Sequence, residues 1–261
     1  MDRSLSLPVF SKRLWLGSLA AVLALAVLIF CVSHFLPDPR RLRDSAWVGR
    51  HFGLARWTPL GECSRPAVQA ILLSEDDSFY RNHGLRLDEV GSAAWDDVRH
   101  MGYRRGASSL TQQVVKNAFL SKNKTLGRKV EEMVLARRAF ASVDKRTLLE
   151  DYLNLVEWGP HHERGIAWAA QTYFACAPSA LTARDGALLA WLLPDPAHRA
   201  RLLLRGALPA SAKRHVQNLL RRMRAEGGLS PADTEAMEQR PYPIETPLTA
   251  TPKTAQQGVI P

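Results

Sequence analysis

From Leu14 to Leu36 the chain reads LWLGSLAAVLALAVLIFCVSHFL, with no Asp, Glu, Lys or Arg in the run. Inside hydrocarbon a single segment satisfies its own backbone groups only as a helix. About 20 apolar residues are enough for one to cross a bilayer. The feature therefore predicts one membrane-spanning helix over 14–36, with a domain hung outside the membrane on it. The run is longer than a secretory apolar core, and no clean Ala-x-Ala site follows, so it reads as an uncleaved anchor rather than a signal peptide. Arg3, Lys12 and Arg13 precede the span, and Arg40, Arg41 and Arg43 follow it, so the positive-inside count is nearly tied. The residues alone lean towards a cytoplasmic tail over 1–13.

The 261 residues leave room for one sizeable domain beyond the anchor, and a hydrophobic content of 46% marks that domain as folded. A formal charge of +10 points to an anionic partner, whether phospholipid headgroups, a phosphorylated substrate or nucleic acid. A basic surface that serves solubility alone is the plainer alternative. Cys31, Cys63 and Cys176 make no disulfide framework; Cys63 and Cys176 could pair in an oxidising compartment, but they read better as two separate buried thiols. His161, His162 and Glu163 invite a metal reading, but their spacing fits no zinc motif, and a loop explains them better.

Residues 37–65 form a Pro- and Arg-rich connector in which Trp47, Phe52 and Trp57 alternate with arginines. That composition suits the membrane interface, and packing against the domain explains it equally well. Over 66–237 the spacing is helical almost throughout, with Pro178, Pro194, Pro196 and Pro209 as punctuation and almost no strand signal. Residues 238–261, rich in Pro and Thr, read as a disordered tail. The predicted fold class is all-α.

Three stretches within that domain carry chemistry. Val68, Ile71, Leu72 and Glu75 stand at i, i+3, i+4 and i+7, which brings Glu75 onto an apolar stripe at a helix's C-terminal edge. Desolvation there, with Asp76 and Asp77 beside it, would raise its pKa towards a general base's range. A helix end pointing to water is the alternative, and position alone favours it.

The second stretch is GASSLTQQVVKN, from Gly106 to Asn117. Ser109-x-x-Gln112 is a capping box, so a helix begins at Leu110 and its first turn offers an anion site. Gln112, Gln113 and Lys116 lie on one polar face suited to a polyhydroxylated, charged ligand. An N-capped surface helix would account for Ser109 and Gln112 but not for the rest. In the third stretch, LGRKVEEMVLARR, Arg128 and Lys129 share a helix side with Glu132, while Val130, Met133 and Val134 take the other side. Two cations and a carboxylate suit a diphosphate, although most such pairs are solvated surface ion pairs.

Together these blocks resemble the peptidoglycan glycosyltransferases: the monofunctional biosynthetic transglycosylases and the glycosyltransferase domains of bifunctional penicillin-binding proteins. The family's Glu-Asp-x-x-Phe-x-x-His-x-Gly is matched by Glu75, Asp76, Phe79 and Gly84, with Asn82 where the histidine belongs and His83 one residue on. Its Gly-x-Ser-Thr-Ile-Thr-Gln-Gln and Lys-Asn are matched by Gly106, Ser108, Ser109, Leu110, Thr111, Gln112, Gln113, Lys116 and Asn117, with Ser109 in place of threonine. Arg128, Lys129 and Glu132 match Arg-Lys-x-x-Glu. Glu150, Tyr152, Leu153 and Asn154, then Trp158-Gly159 and the Leu-Leu-Ala-x-Leu-x-Pro-x-Pro at 188–196, complete the series.

The resemblance implies a lysozyme-like helical domain over 66–237 that polymerises lipid II on the periplasmic side of the cell inner membrane. It implies Glu75 and Glu132 as catalytic residues. Asp76, Phe79, Ser108, Ser109, Gln112, Gln113, Lys116, Asn117, Arg128 and Lys129 would bind substrate. No metal ligand and no required cofactor is implied, while a divalent cation, Mg or Mn, at the diphosphate is left open. The expected partners are lipid II, the growing glycan strand, inner-membrane lipids and proteins of cell-wall synthesis, but no nucleic acid. Ser121-x-x-Lys124 and Ser142-x-x-Lys145 both meet a transpeptidase tetrad, yet no Lys-Thr-Gly follows either. Two other readings stay open: a lysozyme-like lytic enzyme, and a non-catalytic anchored protein that binds the precursor.

Overall fold

The structure is a computed structural model that describes residues 34–85, 108–121, 123 and 125–230, together with 17–20, 22, 23, 27, 30, 232 and 237. Gly106, most of the apolar span and the 238–261 tail lie outside these residues. Among the described residues no helix is long and apolar enough to cross a membrane. Within the span Leu19, Val22, Leu23, Val27 and Phe30 are between 55% and 72% exposed, while Leu36 is half-buried against the core.

The described chain is helical, in the order α1 Ser45–His51, α2 Arg65–Glu75, α3 Leu110–Phe119, α4 Leu126–Ser142, α5 Lys145–Leu155, α6 Ile166–Phe174, α7 Ala183–Leu192, α8 Pro196–Leu204 and α9 Ala210–Ala225. No strand forms among these residues, and Glu157 and Arg164 make one isolated bridge. Helix starts are set locally. Ser64, Ser109, Thr125, Asp144, Thr182 and Asp195 each accept a first-turn N–H, and Pro66 and Pro196 stand where the missing N–H costs nothing.

The core gathers around α2, α5 and α7. On α5, Leu148, Leu149, Tyr152, Leu153 and Leu155 are all at most 1% exposed. Helix α2 lies against α7 at backbone distance: a Cβ on Gly186 would stand 2.4 Å from the Ala67 carbonyl oxygen. Helix α9 packs along the same pair, and α3 packs on both α4 and α5.

The 37–65 segment belongs to this packing, since Leu42 (1%) and Val48 (0%) are core residues. Trp57 donates to Glu150 at 2.8 Å, and the backbone N–H of Leu60 donates to the other oxygen of that carboxylate. Asn154 exchanges two hydrogen bonds with the backbone of Thr58, at 2.9 and 3.0 Å. Of the two readings of this segment, packing accounts for Trp57. Cys63 and Cys176 do not pair. Cys63 is buried, which pushes its thiol up to about 12, whereas Cys176 is only half-buried.

Helix α4 separates the two groups its spacing sets apart. Val130 is 40% exposed and Met133 and Val134 are half-buried, while Glu132 is 2% exposed, in line with buried Leu135, Ala136 and Ala139. Glu132 has three donors there, so its burial is compensated.

Candidate active site

Helix α2 ends at Glu75, and the residue after it organises the surroundings. Asp76 is 1% exposed, and its own N–H closes the helix on Leu72. Its carboxylate accepts from Ser78 Oγ at 2.9 Å, from Asn82 Nδ2 at 3.0 Å to both oxygens, and from the backbone N–H of Leu110 at 2.8 Å. Leu110 is the first residue of α3. An anion at a helix N-terminus is stabilised by the orphan N–H groups and the helix dipole. This corrects one expectation: the carboxylate of Asp76 occupies part of the anion site expected at the start of α3.

Ser109 completes the junction between α2 and α3. Its hydroxyl donates to the Gly84 carbonyl at 2.6 Å and accepts from the Gln112 N–H at 3.1 Å, while the Gln112 side chain accepts from the Ser109 N–H at 2.9 Å. The predicted capping box is present. Gly84 sits at φ +88°, and a Cβ there would meet Phe140 at 2.7 Å and the Ala136 carbonyl at 2.9 Å. No other residue fits that position without strain.

With the two helix ends joined, Gln113 reaches Glu75, its Nε2 donating to Oε2 at 3.1 Å. Burial is the largest influence on Glu75 and raises its pKa. The Gln113 hydrogen bond and the Lys116 charge pull it down, and Asp76 pushes it up. Glu75 is thus half-buried and engaged rather than pointing to water. The neighbouring Gln112, 1% exposed, turns the other way and donates to Glu132 at 3.3 Å.

Glu132 also accepts from Arg128 at 3.2 Å and from Lys129, and Lys129 lies 3.3 Å from the Ser108 hydroxyl. The Arg128 and Glu132 side chains are 15% and 3% exposed, so this is no solvated surface pair. The Arg128 Nε is buried with no partner among the described atoms, a donor left open at the clamp. Lys116, Asn117, Gln113 and Ser108 are half-buried along the same rim.

Asp76 and Phe79 are both 1% exposed, enclosed within the protein. Ser109 is fully buried and engaged in the cap.

Residues outside the sequence-predicted set also shape the site. Asn82 donates to Asp76 while its Oδ1 accepts from Gly84 N and Lys145 Nζ, so the departure from the family's histidine keeps the loop tied. Glu150 and Asn154 anchor the connector. Buried Tyr152 lies close enough to Glu75 and Asp76 for their charges to raise its pKa further, after burial has done most. The motif match at 150–154 was the available signal for Glu150, Tyr152 and Asn154. Lys145 had none beyond a chance tetrad. His161, His162 and Glu163 form a loop in which His162 Nδ1 lies 2.8 Å from Glu157.

A carboxylate with raised pKa beside a buried cation–carboxylate clamp, bridged by one helix, defines a site for moving a proton next to a stabilised anion. The transglycosylase family model matches residues 50–224, and the chain belongs to that family. A biosynthetic peptidoglycan transglycosylase of Nitrobacter hamburgensis is 35% identical over 145 residues, 56% of this chain and 64% of that protein. One from Brucella suis biovar 1 is 37% identical over 166 residues, covering 64% and 70%. One from Pectobacterium carotovorum subsp. carotovorum is 33% identical over 226 residues, covering 83% and 90%. The chain therefore spans just under two thirds of the first relative's length and nine tenths of the third's.

Proposed function

We propose that the protein is a peptidoglycan glycosyltransferase that polymerises lipid II into glycan strands. The observation that carries the reading is the pair of consecutive glutamines on α3: Gln113 bonds Glu75 and Gln112 bonds Glu132, so one helix end holds both carboxylates. Glu75, with its raised pKa, takes the proton from the acceptor sugar's hydroxyl. That oxygen forms a bond to the donor's anomeric carbon on the face opposite the leaving group. The bond from that carbon to the diphosphate oxygen breaks, its electron pair leaves with the undecaprenyl diphosphate, and the configuration inverts. Lys116, Arg128 and Lys129 stabilise the charge that develops on the departing diphosphate. Glu132 holds Arg128 and Lys129 in place, and Ser108, Gln113 and Asn117 line the sugar-diphosphate path.

A divalent cation at the diphosphate, Mg or Mn, would take most of its ligands from phosphate and water oxygens, with Glu132, shared by Arg128 and Lys129, as the carboxylate of the clamp. No step above is routed through one. The exposed apolar side chains of Leu19, Val22, Leu23, Val27 and Phe30 support a single N-terminal span, and a lipid II substrate would put the domain on the periplasmic side of the inner membrane.

The test is polymerisation of purified lipid II by the full chain in detergent. Wild-type protein is expected to build long glycan, and Glu75→Gln to build none. Equal activity in the two would refute the reading. Release of short muropeptides from existing sacculi, without chain growth, would favour a lytic enzyme instead.

A further inference from the structure

Lys145 is the first residue of α5, distant in sequence from every motif residue near it. Its Nζ donates to the Phe79 carbonyl at 2.6 Å, to the Asn82 carbonyl at 3.0 Å and to Asn82 Oδ1 at 3.1 Å. The ammonium also lies 4.6 Å from the Phe79 ring centroid and 5.0 Å from that of Phe140. Three oxygen acceptors and two aromatic rings converge on one half-buried cation.

The connection continues past Asn82. Its Oδ1 faces the lysine and its Nδ2 donates to both oxygens of Asp76, which in turn accepts from Leu110 N. A cation, an amide, a carboxylate and a helix N-terminus thus stand in line, each polarising the next. Asp76 directly follows Glu75 and closes α2, and the Glu75 carboxylate accepts from Gln113 at that same helix end.

We propose that Lys145, acting through Asn82 and Asp76, is the positioning residue that holds Glu75 in its working orientation. It touches no substrate. Its charge offsets Asp76, and its three hydrogen bonds clamp the 79–82 loop to α5. The same line explains how asparagine serves at the family's histidine position: one amide presents an acceptor to the lysine and a donor to the carboxylate. This inference rests on the reading of Glu75 as the base.

The experiment measures steady-state kcat and KM for lipid II polymerisation by the full chain in detergent, with thermal unfolding of each variant. Lys145→Met keeps most of the stem but removes charge and donors. It is expected to lower kcat roughly 10- to 100-fold with KM within about twofold of wild type, because a displaced base costs rate rather than binding. Lys145→Arg keeps charge and donors and is expected to recover most of the lost kcat. A folded Lys145→Met with wild-type kcat overturns the inference, as does an Arg variant no faster than the Met variant. If Lys145→Met fails to fold, Asn82→Leu decides by the same kcat criterion. Wild-type activity in Glu75→Gln would overturn the base reading itself. An inactive Glu75→Gln beside a fully active Lys145→Met would overturn the positioning role alone.

Discussion

Gln113 donates to Glu75 across 3.1 Å, from the second turn of α3 to the last residue of α2. The bond favours the charged form of the carboxylate, and the Lys116 charge works the same way, both against the larger effect of burial. A general base acts deprotonated, so activity is lost as pH falls through the raised pKa of Glu75. That places the acid limb of the kcat/KM profile above the pKa of an ordinary glutamate. Gln113→Ala removes one of the two lowering influences, and its acid limb is expected to move to higher pH. A limb left in place would show that the group titrating there is not Glu75.

At the clamp, Glu132 is closed in by Gln112, Arg128 and Lys129. Arg128→Met leaves a buried carboxylate short of one charged donor. A hydrogen bond to a charged group contributes about 1.5–3 kcal/mol, so chemical denaturation should show a loss of that order. The kcat of Arg128→Met is expected to fall with it, since the leaving diphosphate loses a cation. Wild-type kcat in a folded variant would count against Arg128 as part of the clamp.

The contact between α2 and α7 has no spare space. A Cβ at Gly186 would stand 2.4 Å from the Ala67 carbonyl oxygen and 2.6 Å from its Cα, backbone atoms that cannot rotate away. Gly186→Ala is expected to destabilise the protein by about 1–3 kcal/mol through overpacking. Because α2 carries Glu75, activity should drop as well. Unfolding midpoints read the first effect and polymerisation rates the second.

Asp151 is fully buried on α5, with both carboxyl oxygens lacking a hydrogen-bond partner. Burial raises its pKa from 3.8 to about 8, with Glu150 and Asp144 adding to the effect. The unfolded chain gives up this proton near 3.8 and the folded chain near 8, so the stability contributed by the neutral carboxyl is complete below the first value and lost as pH climbs to the second. Asp151→Leu is expected to raise the melting temperature, more so at pH 8 than at pH 5. An equal shift at both pH values would mean that Asp151 does not titrate in this window.

Much of this was legible in the residues themselves. The start of α3 at Leu110 follows from Ser109, because a cap is a contact over three residues. The spacing of Glu75, the glutamines and the Arg-Lys-x-x-Glu block also marked the site, because helical periodicity puts such groups on one side before any tertiary contact exists.

Tertiary structure decided the rest. Periodicity separates two sides of α4 but does not say which faces inward. There Leu135, Ala136 and Ala139 are buried in line with Glu132, and Gln112, twenty positions from Glu132 in the chain, donates to it. Asp76 carried the sign of a ligand contact but was enclosed by Asn82 and by the N–H of Leu110. Lys145 came to the loop beside Glu75 from more than sixty positions away. Local sequence sets which groups a helix carries and on which side. Only packing sets which of them meet, because the partner that compensates a buried charge comes from another part of the chain.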